Sequence, residues 1–116
     1  MPEGPEVKLL TNTIFNGING KNLKEIKITN GKYLKNAINN LTELNKLLPL
    51  QVVNVACKGK MSWIELSDDK FITIHYGMSG TIHFYPDKLK SNVQFITSGG
   101  IIMCYSDTRN FGNIKI

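Results

Sequence analysis

The first residues of the chain carry the groups with the clearest chemical use. Cellular aminopeptidases remove an initiator methionine that precedes a small residue, so Met1 before Pro2 predicts a free secondary amine. An α-amino group has a pKa of about 8, against about 10.4 for lysine, so more of it is unprotonated at neutral pH. Such an amine can attack the anomeric carbon of a sugar and form an iminium ion. Glu3 can shuttle protons to the opening ring. Many proteins begin Met-Pro without using the amine, so the dipeptide alone does not establish this chemistry.

Composition indicates one soluble, globular domain with a basic surface. The chain has 116 residues, 41% of them apolar and 20% charged, which is enough for one core. No apolar run approaches the roughly 20 residues of a membrane span. The first residues lack the basic start and apolar stretch of a signal peptide, so we expect an intracellular protein. A net charge of +5 attracts phosphates but is weak evidence of nucleic-acid binding by itself.

The makeup of the positive charge says more than its size. Nearly all of it is lysine, and Arg109 is the only arginine. Together with the abundance of Asn and Ile, this indicates the coding bias of an AT-rich genome. An arginine retained under such a bias points to a functional role.

Metal binding is not expected in this chain. Cys57, Cys104, His75 and His83 are far apart, and none of them forms a CxxC or HxxxH spacing. We expect two reduced thiols in the core.

Periodicity predicts two helices. Gly4-Pro5 followed by Glu6 is typical of a helix start, and its positive end would destabilise an ammonium at a nearby Pro2. The buried face of this helix should carry Val7, Leu10, Ile14 and Phe15. A second short helix should carry Leu41, Leu44, Leu47 and Leu48 and stop before Pro49.

The rest of the chain alternates as strands do. Strands are predicted at 23–28, 51–56, 61–66, 71–76, 81–85, 93–97 and 101–105. Turns are predicted at Asn30-Gly31, at 67–69 and at 98–100. Short strands at close spacing indicate an antiparallel sandwich or barrel.

Four segments, in this order, resemble motifs of the formamidopyrimidine-DNA glycosylase / endonuclease VIII family. Residues 1–7, MPEGPEV, resemble its N-terminus, and residues 58–60, KGK, resemble its lysine hairpin. Residues 75–80, HYGMSG, resemble its His-x-Gly-Met-Ser-Gly loop. Residues 107–112, DTRNFG, resemble its Asp-Pro-Arg-Arg-Phe-Gly loop. The resemblance spans the whole chain, and four ordered matches make it specific.

The resemblance implies a catalytic set. By this resemblance, Pro2 would be the nucleophile and Glu3 the acid/base residue, with Glu6 as a helper. Lys60 would belong with them and, like His75, would contact phosphates flanking the damaged nucleotide, a task that suits the flexible point charge of lysine. Without the family, Lys60 would be interpreted as a solvated hairpin lysine and His75 as a strand histidine.

Met78, Arg109 and Phe111 resemble the family's void-filling set. An enzyme that extrudes its target base leaves a hole in the stack and an orphaned partner base. Met78 is flexible enough to fill the hole, and Phe111 can wedge between neighbouring bases. Arg109 has a planar fork of donors for the orphaned base. Core packing is the alternative for Met78 and Phe111, although their polar, glycine-bounded surroundings favour exposed loop tips.

The sequence departs from the family pattern in two places. Thr108 replaces the usual proline and Asn110 a second arginine, so we expect a less rigid loop and one weaker phosphate contact. The family's helix-two-turn-helix domain and its zinc finger have no counterpart in residues 1–116. We therefore interpret the chain as an isolated domain or a truncated gene product.

Taken together, the resemblance implies one α+β, mainly β domain over residues 1–116. It would be a two-layered antiparallel β-sandwich flanked by an N-terminal helix and a second short helix. The implied reaction removes an oxidised base from DNA and cleaves the strand by β- or β,δ-elimination through a Schiff base at Pro2, with impaired activity in the isolated domain. The expected partners are damaged double-stranded DNA and abasic DNA. A monomer without a metal or cofactor of its own is expected.

Two alternatives stay open. One is a non-catalytic damaged-DNA-binding domain on the same fold, against which the intact Pro2 and Glu3 argue. The other is a basic β-domain with a protein partner, against which the four ordered motifs argue. The sequence does not decide whether oxidised purines or pyrimidines are preferred.

Overall fold

The computed structural model describes residues 4–86 and 90–116. A helix, α1 (Gly4–Ile18), is followed by strand β1 (Asn22–Ile28), a 3-10 helix (Lys32–Leu34) and helix α2 (Leu41–Leu47). The remaining strands are β2 (Leu50–Lys58), β3 (Met61–Leu66), β4 (Lys70–His75), β5 (Thr81–Phe84), β6 (Val93–Thr97), β7 (Ile102–Ser106) and β8 (Asn113–Lys115). No helix in the described part of the chain is long and apolar enough to cross a membrane.

Helix α1 has the predicted start but a narrower buried face. It begins at Gly4 and has Glu6 in its first turn, where the positive end of the helix dipole stabilises a carboxylate. The side chains that it buries are Val7, Thr11, Ile14 and Ile18. Leu10 is partly buried, whereas Phe15 is 40% exposed, so its place in the predicted face was wrong. The helical period explains this, because Phe15 lies to one side of the row in which Thr11 and Ile14 stand.

The seven predicted strands are all present, each within two residues of its predicted ends. Helix α2 also forms and ends before Pro49, with Leu44 as its buried residue. The sequence prediction missed the 3-10 helix and β8, both three residues long. Elements this short carry no periodicity and depend on tertiary contacts.

The strands form an antiparallel sheet with the order β5-β7-β6-β1-β2-β3-β4-β8. It divides into two four-stranded halves, because β1 and β2 pair only at Asn22 with Gln51 and at Leu23 with Leu50. Buried side chains of both halves and of the two α-helices join in one hydrophobic core. The predicted class, an α+β fold that is mainly an antiparallel β-sandwich with two helices, is confirmed.

The 3-10 helix covers the outer edge of β8. The Tyr33 hydroxyl accepts a hydrogen bond from the Ile114 N–H at 2.8 Å. The Lys32 ammonium donates to the Gly112 carbonyl at 2.7 Å. These side chains form hydrogen bonds with backbone groups that would otherwise be available to pair with another chain.

Candidate nucleic-acid interface

The two residues to which the resemblance assigns the chemistry, Pro2 and Glu3, lie outside the described residues. Glu6 lies in the first turn of α1 and is exposed. Because α1 begins at Gly4, the direction of α1 determines which end of the sheet lies next to the first described residues.

Two contacts fix the direction of α1 along the sheet. Just beyond its C-terminal end, the Gly20 N–H donates to the Val52 carbonyl near the start of β2 at 2.8 Å. In its middle, the Thr11 and Ser62 hydroxyls are 2.7 Å apart, and Ser62 stands near the start of β3. Gly4 precedes Thr11 by two helical turns, about 10 Å along the axis. Helix α1 thus begins at the end of the sheet where β2 turns into β3.

Lys60 and His75 share that end. Lys60 is exposed in the β2–β3 turn and directly precedes Met61, whose partner across the β3–β4 ladder is His75. His75 is half-buried and pairs on its other side with Asn113 of β8. The structure therefore brings together the two predicted phosphate-binding residues, which are 15 positions apart in sequence.

A chain of buried hydroxyls holds α1 against β3 and β4 at this level. The Tyr76 hydroxyl donates to Ser62 at 2.8 Å, and Ser62 lies against Thr11, which donates to the Val7 carbonyl at 2.7 Å. Burial of Tyr76 raises its pKa to about 12, despite the opposing hydrogen bond with Ser62. The phenol therefore stays protonated and keeps its role as a donor at physiological pH.

Two loops at this end are joined through Asp107. The Ser79 hydroxyl donates to the Asp107 carboxylate at 2.6 Å and accepts the Arg109 N–H at 3.1 Å. Ser79 belongs to the loop 76–80 that carries Met78. Arg109 and Phe111 belong to the loop 107–112. One serine and one aspartate thus set the spacing between the two loops.

The carboxylate of Asp107 is buried, yet it stays charged. Burial alone would raise its pKa, but hydrogen bonds from Ser79, the Gly112 N–H, the Tyr105 hydroxyl and the Asn110 N–H outweigh burial and lower it. The Gly112 and Tyr105 donors lie 2.7 and 3.0 Å from the second carboxylate oxygen. Burial and the neighbouring Asp107 charge raise the pKa of Tyr105, so this hydroxyl remains a donor.

Backbone contact between the loops is so close that it requires glycine. Gly77 has a φ of 61°, and a Cβ there would lie 2.6 Å from the Gly112 nitrogen and 2.6 Å from the Phe111 carbonyl carbon. A side chain at this position would push the two loops apart.

The three predicted void-filling side chains all extend into solvent. Met78 is 46% exposed and Phe111 63% exposed, and Arg109 is exposed as well. Core packing, the alternative for Met78 and Phe111, is therefore not what the structure shows. Exposed apolar side chains beside a guanidinium form a surface suited to base stacking and hydrogen bonding.

Three residues that hold these loops were given no role from the sequence. Asp107 and Ser79 lie within motifs quoted above, whereas Asn92, which directly precedes β6, was missed altogether. Asn92 is buried, its amide oxygen accepts the Asp107 N–H at 2.9 Å, and its amide nitrogen donates to the Asp107 carbonyl at 3.3 Å. An aspartate followed by a polar turn is a local signal for side chain to backbone hydrogen bonds, whereas a distant asparagine leaves no such signal.

Two grooves in the described part of the domain are lined by residues other than the predicted site residues. Grooves of about 410 and 550 Å³ lie along α2 and β8, and neither is lined by Lys60, His75, Met78, Arg109 or Phe111. Within the described residues, no three His, Cys, Asp or Glu side chains come together as a metal site requires. Cys104 is buried and Cys57 half-buried, both as thiols.

Comparison with known proteins identifies relatives along the whole chain. Residues 1–114 match the family model described as the formamidopyrimidine-DNA glycosylase N-terminal domain. The formamidopyrimidine-DNA glycosylase of Lactobacillus johnsonii is 30% identical over 100% of this chain and 43% of its own length. That of Salmonella heidelberg is 33% identical over 97% of this chain and 42% of its own length. The chain thus spans less than half the length of the curated relatives that it matches.

Solved structures give the same fold. MutM in complex with DNA containing carbocyclic 8-oxo-G superposes with a TM-score of 0.83 at 24% identity, over 98% of this chain and 44% of that one. Lactococcus lactis formamidopyrimidine-DNA glycosylase, bound non-covalently to DNA with an AP site, superposes with a TM-score of 0.81 at 22% identity. The match covers 98% of this chain and 44% of that one.

Proposed function

Because this chain belongs to the formamidopyrimidine-DNA glycosylase family as its N-terminal domain, we propose that it carries the chemistry of a base-excision DNA glycosylase and AP lyase. Its substrate would be a damaged or abasic nucleotide in DNA. The nucleophile would be the amine of Pro2, with Glu3 as acid/base residue and Glu6 as a helper. The protein would act inside the cell, at DNA.

One observation carries the proposal: residues from four distant parts of the chain meet at one end of the sheet. The start of α1, the Lys60 turn, His75 and the joined loops 76–80 and 107–112 all lie there. A lysine and a histidine in that setting suit the phosphates of a DNA strand. Exposed Met78, Arg109 and Phe111 suit the gap left by an extruded nucleotide.

The proposed reaction proceeds through a covalent bond to the sugar. The Pro2 nitrogen attacks C1′, the bond from C1′ to the base breaks, and the base leaves with the proton that the amine gives up. Glu3 protonates the ring oxygen, the ring opens, and an iminium ion joins Pro2 to C1′. Water then takes up a proton from C2′, the electron pair breaks the C3′–O bond, and the 3′ phosphate leaves. Water hydrolyses the iminium and frees Pro2.

Borohydride trapping tests this mechanism. Borohydride reduces the iminium to a stable amine, so an abasic oligonucleotide becomes permanently attached to the protein. Single-stranded abasic DNA is the substrate of choice, because its glycosidic bond is already broken and no base has to be flipped. Intact mass first establishes that Met1 has been removed, since a retained Met1 would make the Pro2 nitrogen an amide.

The matched control is the same protein with a blocked terminus, either acetylated or retaining Met1. We expect an adduct with free Pro2 and none with the blocked protein. Equal trapping by both would make a lysine the nucleophile. Pro2→Gly is a poor control, because it leaves a primary amine that can also form a Schiff base.

The alternative proposal is a non-catalytic domain that binds damaged DNA through the same surface. The exposed Met78, Arg109 and Phe111 favour it as much as they favour the enzyme. Salt-dependent DNA binding without any trapping would select this alternative. Absence of both binding and trapping would leave only a basic β-domain with a protein partner.

A further inference from the structure

Asn110 stands where the family pattern has a second arginine, and its backbone adopts a left-handed conformation with a φ of 57°. Asparagine tolerates this region better than most side chains, because its short amide can hydrogen-bond locally. Thr108, two positions earlier, stands where the pattern has a proline. The loop 107–112 has thus lost a rigid ring and gained a residue suited to a tight turn.

The Asn110 carboxamide is tied to two distant segments. Its oxygen accepts the backbone N–H of Lys32 at 3.1 Å and the side-chain amide of Asn92 at 3.2 Å. Its own backbone N–H donates to both the carbonyl and the carboxylate of Asp107, at 3.2 and 3.1 Å. Four bonds therefore converge on one residue.

The approach of these segments is tight at Gly31, which has a φ of 86°. A Cβ there would lie 2.5 Å from the Asn110 amide oxygen and would also collide with the Asn92 amide nitrogen. The predicted Asn30-Gly31 turn thus leaves space for the Asn110 carboxamide.

The hydrogen bonds hold the backbone of the loop while its functional side chains remain exposed. The N–H groups of Asp107, Arg109, Asn110 and Gly112 each have a partner, respectively Asn92, Ser79, Asp107 and Asp107. The Lys32 ammonium also donates a hydrogen bond to the Gly112 carbonyl at 2.7 Å. Arg109 and Phe111 extend into solvent from this fixed backbone.

We propose that Asn110 is a positioning residue that holds the Arg109–Phe111 tip in its DNA-binding geometry through Lys32 and Asn92. Side-chain hydrogen bonds here replace the rigidity that a proline gives the family loop. A tip fixed before binding loses less conformational entropy on the DNA than a mobile one. The inference rests on the proposed function, in that the tip is taken to contact DNA.

Two variants disrupt the hydrogen bonds that the Asn110 carboxamide accepts from Lys32 and Asn92, one at Asn110 and one at Gly31. Asn110→Gly removes the carboxamide but keeps the left-handed backbone accessible, and Gly31→Ala pushes Asn110 and Asn92 apart. Thr108→Ala, an exposed change in the same loop, is the control. Amide hydrogen exchange at Arg109 and Gly112 should become at least about tenfold faster in both variants and stay unchanged in the control.

A second measurement separates positioning from general damage. Affinity for an abasic-analogue duplex at low salt should fall about tenfold in both variants, since one net hydrogen bond is worth roughly that factor. The rate of trapping with single-stranded abasic DNA should not change, because that reaction needs no void to be filled. A merely structural defect would lower both quantities.

Unchanged exchange in Asn110→Gly would overturn the proposal, and so would faster exchange with unaltered duplex affinity. If the unmodified protein neither binds nor traps DNA, the proposed function fails and with it the role of the tip. The exchange rates would still decide whether Asn110 orders the loop.

Discussion

At the scale of single residues, Asp107 accepts four hydrogen bonds although only 2% of its surface reaches solvent. Four donors around one carboxylate keep it ionised inside the protein. A charged acceptor makes stronger bonds than a neutral one, so the loops that it joins are held firmly.

Replacing Asp107 should destabilise the fold in a pH-dependent way. The folded pKa is lower than the ordinary value of 3.8, so the carboxylate contributes stability above that value and loses it as the pH falls further. Asp107→Asn should lower the free energy of unfolding by about 2 kcal/mol at pH 7, with a smaller difference at pH 3. Urea unfolding at both pH values measures this.

Asp69→Asn, in the exposed β3–β4 turn, is the control and should change stability by no more than about 0.5 kcal/mol. A loss in Asp107→Asn that is equally large at both pH values would mean that the charge of Asp107 is not what holds the loops.

At the scale of elements, sequence patterns predicted what depends on local periodicity. The two helices and seven strands follow from rows of apolar residues, and their bounds were close to the observed ones. Strand β8 could not be predicted, because three residues become a strand only by pairing with β4. The helical period places Thr11 on the buried face, four residues after Val7, but its hydrogen bond with Ser62, 51 residues away, could not be predicted.

The hydroxyl chain between α1 and the sheet should behave as one cooperative unit. Ser62→Ala and Tyr76→Phe should each reduce the free energy of unfolding by about 1–2 kcal/mol, because each leaves a buried hydroxyl without its partner. The double variant should lose less than the sum. Tyr85→Phe, at an exposed tyrosine, is the control. If denaturant unfolding shows that the two single losses add up to the loss in the double variant, the hydrogen bond between Tyr76 and Ser62 does not couple them.

The junction of the two loops should not tolerate a side chain at Gly77. Gly77→Ala combines a strained φ with a collision against the Phe111–Gly112 backbone, and should cost about 2 kcal/mol or more. Gly59→Ala is a matched control, because Gly59 has a φ of 60° and a Cβ there would have no neighbour within 4 Å. Equal thermal stability losses in both variants would show that strain, rather than the collision, accounts for the effect.

At the scale of the whole molecule, the net charge and the share of its relatives' length that the chain matches set expectations for DNA binding. Curated relatives are more than twice as long as the part that this chain matches, since it covers 43% of one of them. The net charge of +5 favours binding to DNA, and the number of phosphate contacts sets both the affinity and its salt dependence. We expect weak glycosylase activity on damaged duplex from these 116 residues alone.

Lys60 should contribute one phosphate contact to that binding. Lys60→Ala should reduce the slope of log affinity against log salt by about 0.9, the value for one phosphate on duplex DNA. Lys70→Ala is the control, since Lys70 is an exposed lysine at the far end of the β3–β4 ladder from His75. Fluorescence titrations at several salt concentrations measure the slopes, and equal slopes for the two variants would remove Lys60 from the interface.

The chemistry proposed for this domain depends on the Pro2 amine forming the covalent bond to DNA. Mapping the borohydride-trapped adduct by mass spectrometry tests this dependence, because trypsin cleavage after Lys8 isolates residues 2–8 as one peptide that contains no internal lysine. We expect the reduced sugar on that peptide, attached at the Pro2 nitrogen. A sugar attached to a lysine side chain in any other peptide would contradict the proposed role of Pro2.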